Sequence, residues 1–185
     1  RLNAEFCHHV CYQGAFHFQE GMRSGLPEGL RALGPWPTVY EGLRSLPAEV
    51  KEAWFAFDHF YSDEVFESCL PLVLSSEVRR LVDVGGNTGK FCSLALAYAK
   101  ELTVTIVDLP GQLAAAEERF EGAEDRARVS FHPANLLDEG AFLPAGADVY
   151  WLSQFLDCFS EKEIVSILRR VRDAMPPHGR AFILE

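Results

Sequence analysis

Short apolar runs and amphipathic stretches alternate along the second half of the chain, from Leu81 onward. Short runs rich in branched residues indicate strands, and apolar positions that repeat every three or four residues indicate helices. The pattern predicts five strands, over residues 81–84, 103–107, 128–131, 147–152 and 180–184. Because strands that alternate with helices form mostly parallel sheets with right-handed crossovers, the sequence predicts an α/β fold.

Two helices of this half carry end signals of their own. One is predicted from Lys90 to about Ala99, directly after a glycine-rich turn. The other is predicted over residues 161–175, because Ser160 and Glu163 match a capping box and two prolines follow the helix. In sheets of this kind ligands bind beyond the carboxyl ends of the strands, so functional residues are expected there.

The first part of the chain has helix and turn signals but no strand pattern. It is predicted to hold three helices, over residues 3–18, 47–60 and 62–74, and a turn-rich connector over residues 25–37. Pro47 is expected to open the second helix, and Ser62 to cap the third. We therefore predict an N-terminal helical segment over residues 1–75 and a core over residues 76–185.

Composition and charge mainly exclude classes of binding partner. The 185 residues are 48% hydrophobic, which favours a folded chain, and carry a net charge of −10 without a long basic run. Such a charge argues against binding to the phosphate backbone of nucleic acids. Because no apolar stretch has the length of a membrane span and no signal peptide is visible, we expect no membrane partner and a cytoplasmic location. The start at Arg1 and a last predicted strand that stops at the chain end suggest a fragment, truncated at its C-terminal end.

The five cysteines do not suggest a disulfide framework, because their number is odd and their positions are scattered. Cys7, His8 and Cys11 look like a metal cluster at first sight, since helical spacing brings them near one another. A second Cys/His pair that could close a zinc site is missing, so we expect ordinary helix residues and no metal.

The most informative segment is the turn that follows the first predicted strand. Asp83 lies near the end of that strand, and Gly85, Gly86 and Gly89 follow before the helix begins. Glycine lets a ligand approach the backbone, and a helix N-terminus offers free N–H groups, so a strand, a glycine turn and a helix form a nucleotide cradle. Asp108 ends the next strand, 25 residues after Asp83, where a carboxylate that binds ribose is expected.

This cradle fits two ligands, a dinucleotide or S-adenosylmethionine. The glycine spacing departs from the dinucleotide fingerprint G-x-G-x-x-G, because Asn87 occupies the third position. The pattern D-x-G-x-x-x-G is closer to that of methyltransferases, and Asn tolerates the left-handed backbone conformation better than most residues. A tight turn that binds no ligand is the remaining alternative.

Several further motifs point to one family. From about residue 36 onward the chain resembles class I S-adenosylmethionine-dependent methyltransferases, most closely the small-molecule O-methyltransferases of the plant caffeate type and their bacterial relatives. The matching motifs lie at residues 82–86, 107–110, 133–137, 147–149 and 155–161, with a further one before the core at residues 57–63. The triplet Asp-Leu-Pro after the second strand is the more specific marker. The resemblance implies a doubly wound, Rossmann-like core.

The resemblance also implies which residues bind the cofactor, S-adenosylmethionine. Asp108 would accept hydrogen bonds from both ribose hydroxyls, and the glycines would line the methionine part. Asn135, where the family usually has Asp, could meet the adenine amino group through its carbonyl oxygen. Leu109 and Leu136 would contact the adenine, although core packing also explains them, and Ser153 stands near the cofactor where plant members carry Lys. The implied set is Asp83, Gly85, Gly86, Gly89, Asp108, Leu109, Asn135, Leu136 and Ser153.

The chain departs from the family at the catalytic base. Where the family carries the His that takes the phenol proton, this chain has Asp157, followed by Cys158. A carboxylate can act as a base if burial favours its protonated form, so Asp157 is the candidate catalytic residue; orienting the substrate, or a structural role, are the alternatives. The resemblance implies that the helical segment before the core, residues 1–75, acts as a lid for the substrate. Phe57 and His59, which lie in it, are candidate substrate contacts.

The sequence thus predicts an enzyme that methylates a hydroxyl group of a small aromatic or polyketide-like molecule. Dimers in the family imply a homodimer here. Two alternatives remain open. One is a cofactor-binding protein without catalysis, which the missing His and Asn87 favour. The other is a dinucleotide-dependent oxidoreductase, which Asp83 and the glycine spacing disfavour.

Overall fold

The computed structural model describes residues 1–36 and 42–185. The chain divides into two compact units, Arg1–Tyr61 and Ser62–Glu185. The division into a helical segment and a core at residues 75 and 76 stays a prediction of the sequence.

The first unit begins with a continuous helical run over residues 2–24, which extends the predicted helix at both ends. Its pieces are α1 (Leu2–Phe6), a π turn (Cys7–Cys11), α2 (Tyr12–Gly14), a 3₁₀ turn (Ala15–His17) and α3 (Phe18–Ser24). The run ends where Gly25 adopts the left-handed conformation, with φ of +70°. Glycine commonly ends helices in this way because it has no Cβ to crowd the backbone.

Turns and aromatic packing make up much of the rest of this unit. The connector is rich in turns as predicted, with a 3₁₀ helix at Glu28–Ala32. Its predicted end, Pro37, lies outside the described residues. A further 3₁₀ helix spans Leu43–Ser45. A small apolar cluster holds these pieces together and is formed by Leu30, Leu33, Trp36, Leu43, Leu46, Val50, Trp54 and Phe55.

The predicted break at Ser62 is wrong, because a single helix, α4 (Ala48–Val73), replaces the two predicted ones. A capping side chain helps to start a helix where the preceding chain is not helical. Residues 58–66 contain no glycine or proline that would end the earlier turns, so the helix continues through the capping signal. Pro71 lies in the last turn, where the loss of one hydrogen bond coincides with the end of the helix.

The second unit is built on a parallel five-stranded sheet with the order β3-β2-β1-β4-β5. The strands are β1 (Arg80–Val84), β2 (Thr103–Asp108), β3 (Val129–Pro133), β4 (Val149–Ser153) and β5 (Arg180–Leu184). All five predicted strands are confirmed, with ends that move by one or two residues. The chain winds in one direction from β1 to β3 and returns to the other side for β4. Doubly wound sheets bind ligands at this switch point between β1 and β4.

Helices cover both faces of the sheet. They include α5 (Lys90–Tyr98), α6 (Pro110–Phe120) and α7 (Glu161–Ala174). Because alternate residues of a strand face opposite sides, Leu81 packs with α5 and α6, whereas Val82 packs with α7. The predicted capping box is confirmed, with the Ser160 N–H donating to Glu163 over 2.8 Å. Among the described residues, no helix has both the length and the apolar character needed to cross a membrane.

Candidate active site

The glycine turn, residues 85–89, leaves β1 at the switch point and leads into α5. Gly85 and Gly89 have φ values of +75° and +72°, and Asn87 has +48°. The Gly85 N–H donates to the carbonyl of Val107 in β2 over 2.8 Å, which ties the turn to the neighbouring strand. As the sequence predicted, Asn87 adopts the left-handed conformation that glycine adopts most easily.

All three glycines of this turn lie against side chains of the protein. A Cβ on Gly85 would lie 2.3 Å from Cδ2 of Phe155, and one on Gly86 would lie 2.9 Å from Cγ of Asp83. Gly89 is crowded in the same way by α6 and β2. Cβ atoms do not approach other heavy atoms this closely, so packing within the protein already requires glycine at these positions.

Asp83 lies beneath the turn rather than on its surface. Its side chain is 3% exposed, and its Oδ2 accepts a hydrogen bond from the Cys92 thiol of α5 at 3.1 Å. Burial raises the pKa of the Asp83 carboxyl to about 7; the hydrogen bond from Cys92 lowers it, and the nearby charge of Asp108 raises it further. The carboxyl group therefore changes its charge near neutral pH, directly below the backbone of Gly86.

Asp108 closes the turn from the carboxyl end of β2. Its Oδ2 accepts the N–H of Asn87 at 2.8 Å, and its Oδ1 accepts the N–H of Leu109 at 2.7 Å. Burial raises the pKa of Asp108 to about 6, and the two backbone hydrogen bonds counteract part of the rise. At pH 7 the group is mostly ionised, and each carboxylate oxygen keeps capacity for a further donor such as a ribose hydroxyl.

The predicted adenine contacts occupy three different environments. Leu109 is half-buried and immediately precedes α6. Asn135 is exposed, and its side chain is already engaged locally, since Oδ1 accepts the N–H of Leu137 and Nδ2 donates to Asp138. Leu136 is buried in the apolar cluster beneath α7. Any contact of Asn135 with a ligand must therefore share or replace the hydrogen bonds of this turn.

Two hydroxyl groups beside the switch point are buried without a hydrogen-bond partner among the described residues. They are Oγ1 of Thr88, within the glycine turn, and Oγ of Ser153, at the end of β4. Buried polar atoms nearly always have a partner in native proteins, and a polar ligand bound at the switch point could supply one to both hydroxyls. The position of these hydroxyls, with Asp108, fits a polar nucleoside-type cofactor.

The segment after β4 carries the candidate catalytic residue. Gln154 has a φ of +48°, and a short 3₁₀ turn, Leu156–Cys158, follows. Asp157 lies exposed in this turn, and its Oδ1 accepts a hydrogen bond from the Cys158 thiol at 3.2 Å. The burial that would favour a carboxylate as a base is thus not provided by the described residues around Asp157.

Sequence reasoning missed Glu185 as a part of this segment. Its Oε1 accepts the N–H groups of Leu156 at 2.9 Å and of Phe155 at 3.3 Å, so it holds the backbone just before Asp157. The only sequence signal was the placement of an acidic residue directly after the last predicted strand, beside the end of β4.

The two candidate substrate contacts lie in the first unit. The ring of Phe57 stacks on that of Phe6 with centroids 4.0 Å apart, and the ring of His59 stacks on that of Phe55 at 6.2 Å. Both side chains therefore take part in aromatic packing within Arg1–Tyr61, and their contact with a substrate stays a prediction.

Comparison with known proteins gives consistent matches. The family model of the O-methyltransferase domain matches residues 60–185. Demethylspheroidene O-methyltransferase from Cereibacter sphaeroides is 32% identical over 150 residues, which cover 81% of this chain and 39% of that protein. Aclacinomycin 10-hydroxylase RdmB from Streptomyces purpurascens is 36% identical over 115 residues, covering 60% of this chain and 29% of that protein.

A solved structure shares the fold over nearly the whole chain. It is the O-methyltransferase NcsB1 from neocarzinostatin biosynthesis, in complex with S-adenosylmethionine and 2-hydroxy-5-methyl naphthoic acid. The match has a TM-score of 0.76 at 28% identity, and covers 93% of this chain and 51% of that one. The chain spans about half or less of the length of these relatives. With the glycine turn, the switch point and the match over residues 60–185, the chain belongs to the O-methyltransferase domain family.

Proposed function

We propose that the chain is the cofactor-binding part of an S-adenosylmethionine-dependent O-methyltransferase that acts on a small aromatic or polyketide-like hydroxyl compound. The observation that carries the proposal is the arrangement of Asp108 and the glycine turn at the switch point, beside two buried hydroxyl groups that lack partners. The names of two relatives support an aromatic substrate, since one is a 3-amino-4-hydroxybenzoate 4-O-methyltransferase and the other a 2,7-dihydroxy-5-methyl-1-naphthoate 7-O-methyltransferase.

The cofactor would supply an electrophilic methyl group, and the chain would bind and orient the reactants. Asp108 would bind the ribose, and Gly85, Gly86 and Gly89 would line the methionine part. Leu109, Asn135 and Leu136 would surround the adenine. Thr88 and Ser153 would provide hydroxyl groups for polar atoms of the cofactor.

Asp83 would support the backbone of the glycine turn from below, and Asp157 would face the acceptor. The carboxylate of Asp157 would take the acceptor proton or orient the acceptor hydroxyl during the in-line displacement. Phe57 and His59 would contribute apolar and polar contacts to the acceptor. No metal is needed for this reaction, because the sulfonium of the cofactor already activates the methyl group.

We further propose a homodimer in the cytoplasm, without a nucleic-acid or membrane partner. The helical run over residues 2–24 and the residues that follow it expose several large apolar side chains. They are Tyr12, Phe16, Phe18, Met22 and Leu26. The rings of Tyr12 and Phe16 meet edge-on with centroids 5.7 Å apart, and a contiguous exposed apolar patch commonly marks a protein interface. Sedimentation of the wild-type chain and of Phe16→Asp would test it, since the variant is expected to shift the chain towards monomer.

The function is tested by incubating the chain with S-adenosylmethionine and a panel of phenols and hydroxynaphthoic acids. The expected result is a product that is heavier than the acceptor by one methylene group, formed together with S-adenosylhomocysteine. An acceptor panel that stays unmodified while the chain binds the cofactor would contradict methyl transfer to this class.

A second candidate function is cofactor binding without methyl transfer. Two observations favour it, the exposed Asp157 at the position of the family's catalytic His and the similarity to a relative that is named a hydroxylase. The same assay separates the two, because this candidate binds S-adenosylhomocysteine and yields no methylated product. We expect no binding in a titration with NAD, and this result would exclude a dinucleotide-dependent oxidoreductase.

A further inference from the structure

Phe155 is aimed at the glycine turn by the backbone around it. The preceding residue, Gln154, is in the left-handed conformation, which turns the chain sharply as it leaves β4. The carboxylate of Glu185 then holds the N–H groups of Phe155 and Leu156. A strained residue on one side and a carboxylate tether on the other fix where this aromatic side chain lies.

The ring of Phe155 takes up the space directly beside Gly85. A Cβ at Gly85 would come within 2.3 Å of Cδ2 and 2.8 Å of Cγ of this ring. Phe159 backs the ring edge-on, with centroids 4.9 Å apart and an interplanar angle of 67°. Phe155 is therefore an aromatic side chain from the segment carrying Asp157 that touches the glycine turn.

This position matters because the reacting group changes its charge during methyl transfer. S-adenosylmethionine carries a sulfonium cation, which becomes the neutral thioether of S-adenosylhomocysteine when the methyl group leaves. If the glycine turn holds the methionine part and Asp157 faces the acceptor, the sulfonium would lie between the turn and Asp157. Phe155 belongs to the segment of Asp157 and touches the turn, so its ring would lie near the sulfonium. The face of an aromatic ring attracts a cation but gains little from a neutral thioether.

We propose that Phe155, backed by Phe159, forms an aromatic wall that favours the positively charged S-adenosylmethionine over its neutral product. The inference rests on the proposed function, because it assumes that the glycine turn binds this cofactor. The wall would strengthen the binding of S-adenosylmethionine but not that of S-adenosylhomocysteine, which would then leave the site more easily.

The test is calorimetric measurement of the dissociation constants of both S-adenosylmethionine and S-adenosylhomocysteine. Phe155→Leu removes the aromatic face and keeps much of the apolar volume, and Phe155→Tyr keeps the aromatic face. We expect Phe155→Leu to weaken S-adenosylmethionine binding about fivefold and S-adenosylhomocysteine binding less than about twofold. Phe155→Tyr should keep the wild-type ratio of the two constants. Phe142→Leu, at an exposed ring packed on His132, is the matched control and should change neither constant.

Equal weakening of both ligands in Phe155→Leu would overturn the inference, because it would mean that the ring only packs. Tighter binding of both ligands would also overturn it, because the ring would then only obstruct the site. If Phe155→Leu unfolds, Phe155→Met supplies a second non-aromatic side chain of similar size for the same comparison. Binding of neither ligand by the wild-type chain would overturn the proposed function itself, whereas binding of both with an unchanged ratio in the variants overturns only this inference.

Discussion

The two sides of the switch point differ in how firmly the structure holds their functional groups. On the β1–β2 side, backbone N–H groups bind Asp108, and the Cys92 thiol binds the buried Asp83. On the β4–β5 side, Asp157 lies exposed in a short 3₁₀ turn, where its side chain accepts a hydrogen bond from the thiol of its sequence neighbour Cys158 and Glu185 holds the backbone before it. The proposed cofactor-binding side is thus formed by the fold itself, whereas the proposed acceptor side is organised more loosely.

The largest effect should come from filling the space at the glycine turn. Gly85→Ala places a methyl group against Phe155 and forces a left-handed conformation on alanine, so we expect about 3 kcal/mol lower stability. The free energy of unfolding from urea titration measures this. Gly140→Ala is the matched control, because Gly140 has open space around it and no positive φ. A loss of equal size in both variants would mean that the turn is not specially constrained.

The next prediction concerns the loosely held side. If Asp157 takes the acceptor proton, Asp157→Asn should lower kcat about 100-fold, the usual size of general base catalysis, and leave the affinity for S-adenosylhomocysteine unchanged. Steady-state kinetics and calorimetry measure the two quantities. Asp173→Asn, at an exposed carboxylate of α7, should change neither. Unaltered kcat in Asp157→Asn would exclude the role as a base.

A smaller effect should appear in the pH dependence of stability. The pKa of Asp83 is about 7 in the folded chain and about 4 in an unfolded one, so the folded chain binds more protons between these values. The contribution of Asp83 to stability is therefore complete below about pH 4 and is lost as the pH rises to about 7. We expect the free energy of unfolding of the wild type, relative to Asp83→Asn, to fall by about 3 kcal/mol over this range.

Urea titrations of both proteins between pH 4.5 and 7.5 measure that difference. Asp108 also has a raised pKa, but it is present in both proteins and largely cancels in the comparison. A difference that stays constant with pH would show that Asp83 does not titrate in the folded chain within this range.

The smallest effect should come from the contact between Glu185 and the segment that carries Asp157. Glu185→Ala removes the acceptor for two backbone N–H groups. We therefore expect the activation free energy of methyl transfer to rise by about 1 kcal/mol, which lowers kcat about fivefold. Glu185→Gln keeps a carbonyl oxygen and should restore most of the activity. The affinity for S-adenosylhomocysteine should hold in both variants. A parallel loss of that affinity would mean that Glu185 also supports the glycine turn.

The sequence predicted the sheet well because its signals are local. Each strand is a short apolar run between turns, and the glycine turn is recognised from the spacing of Gly85, Gly86 and Gly89. The break at Ser62 failed for the opposite reason. A capping signal is local too, but the helix around it has nothing to stop it, so the signal is overridden in α4.

The parts of the site that the sequence did not reveal depend on distant contacts. Cys92 meets Asp83 only when α5 packs on β1, and Glu185 meets Leu156 only because β4 and β5 are neighbours in the sheet. The contact of Phe155 with Gly85 likewise joins the ends of β4 and β1. Such partners follow from the topology, and the order of the strands was not part of the sequence prediction.

Calorimetric titration with S-adenosylhomocysteine tests whether Asp108 and the glycine turn bind the cofactor. Asp108→Asn keeps the shape of the side chain but replaces one acceptor oxygen by a donor, and Asp173→Asn serves as the control. We predict micromolar binding to the wild type and the control, and binding at least about 100-fold weaker to Asp108→Asn. No binding to the folded wild type, or equal binding to Asp108→Asn, would contradict the account.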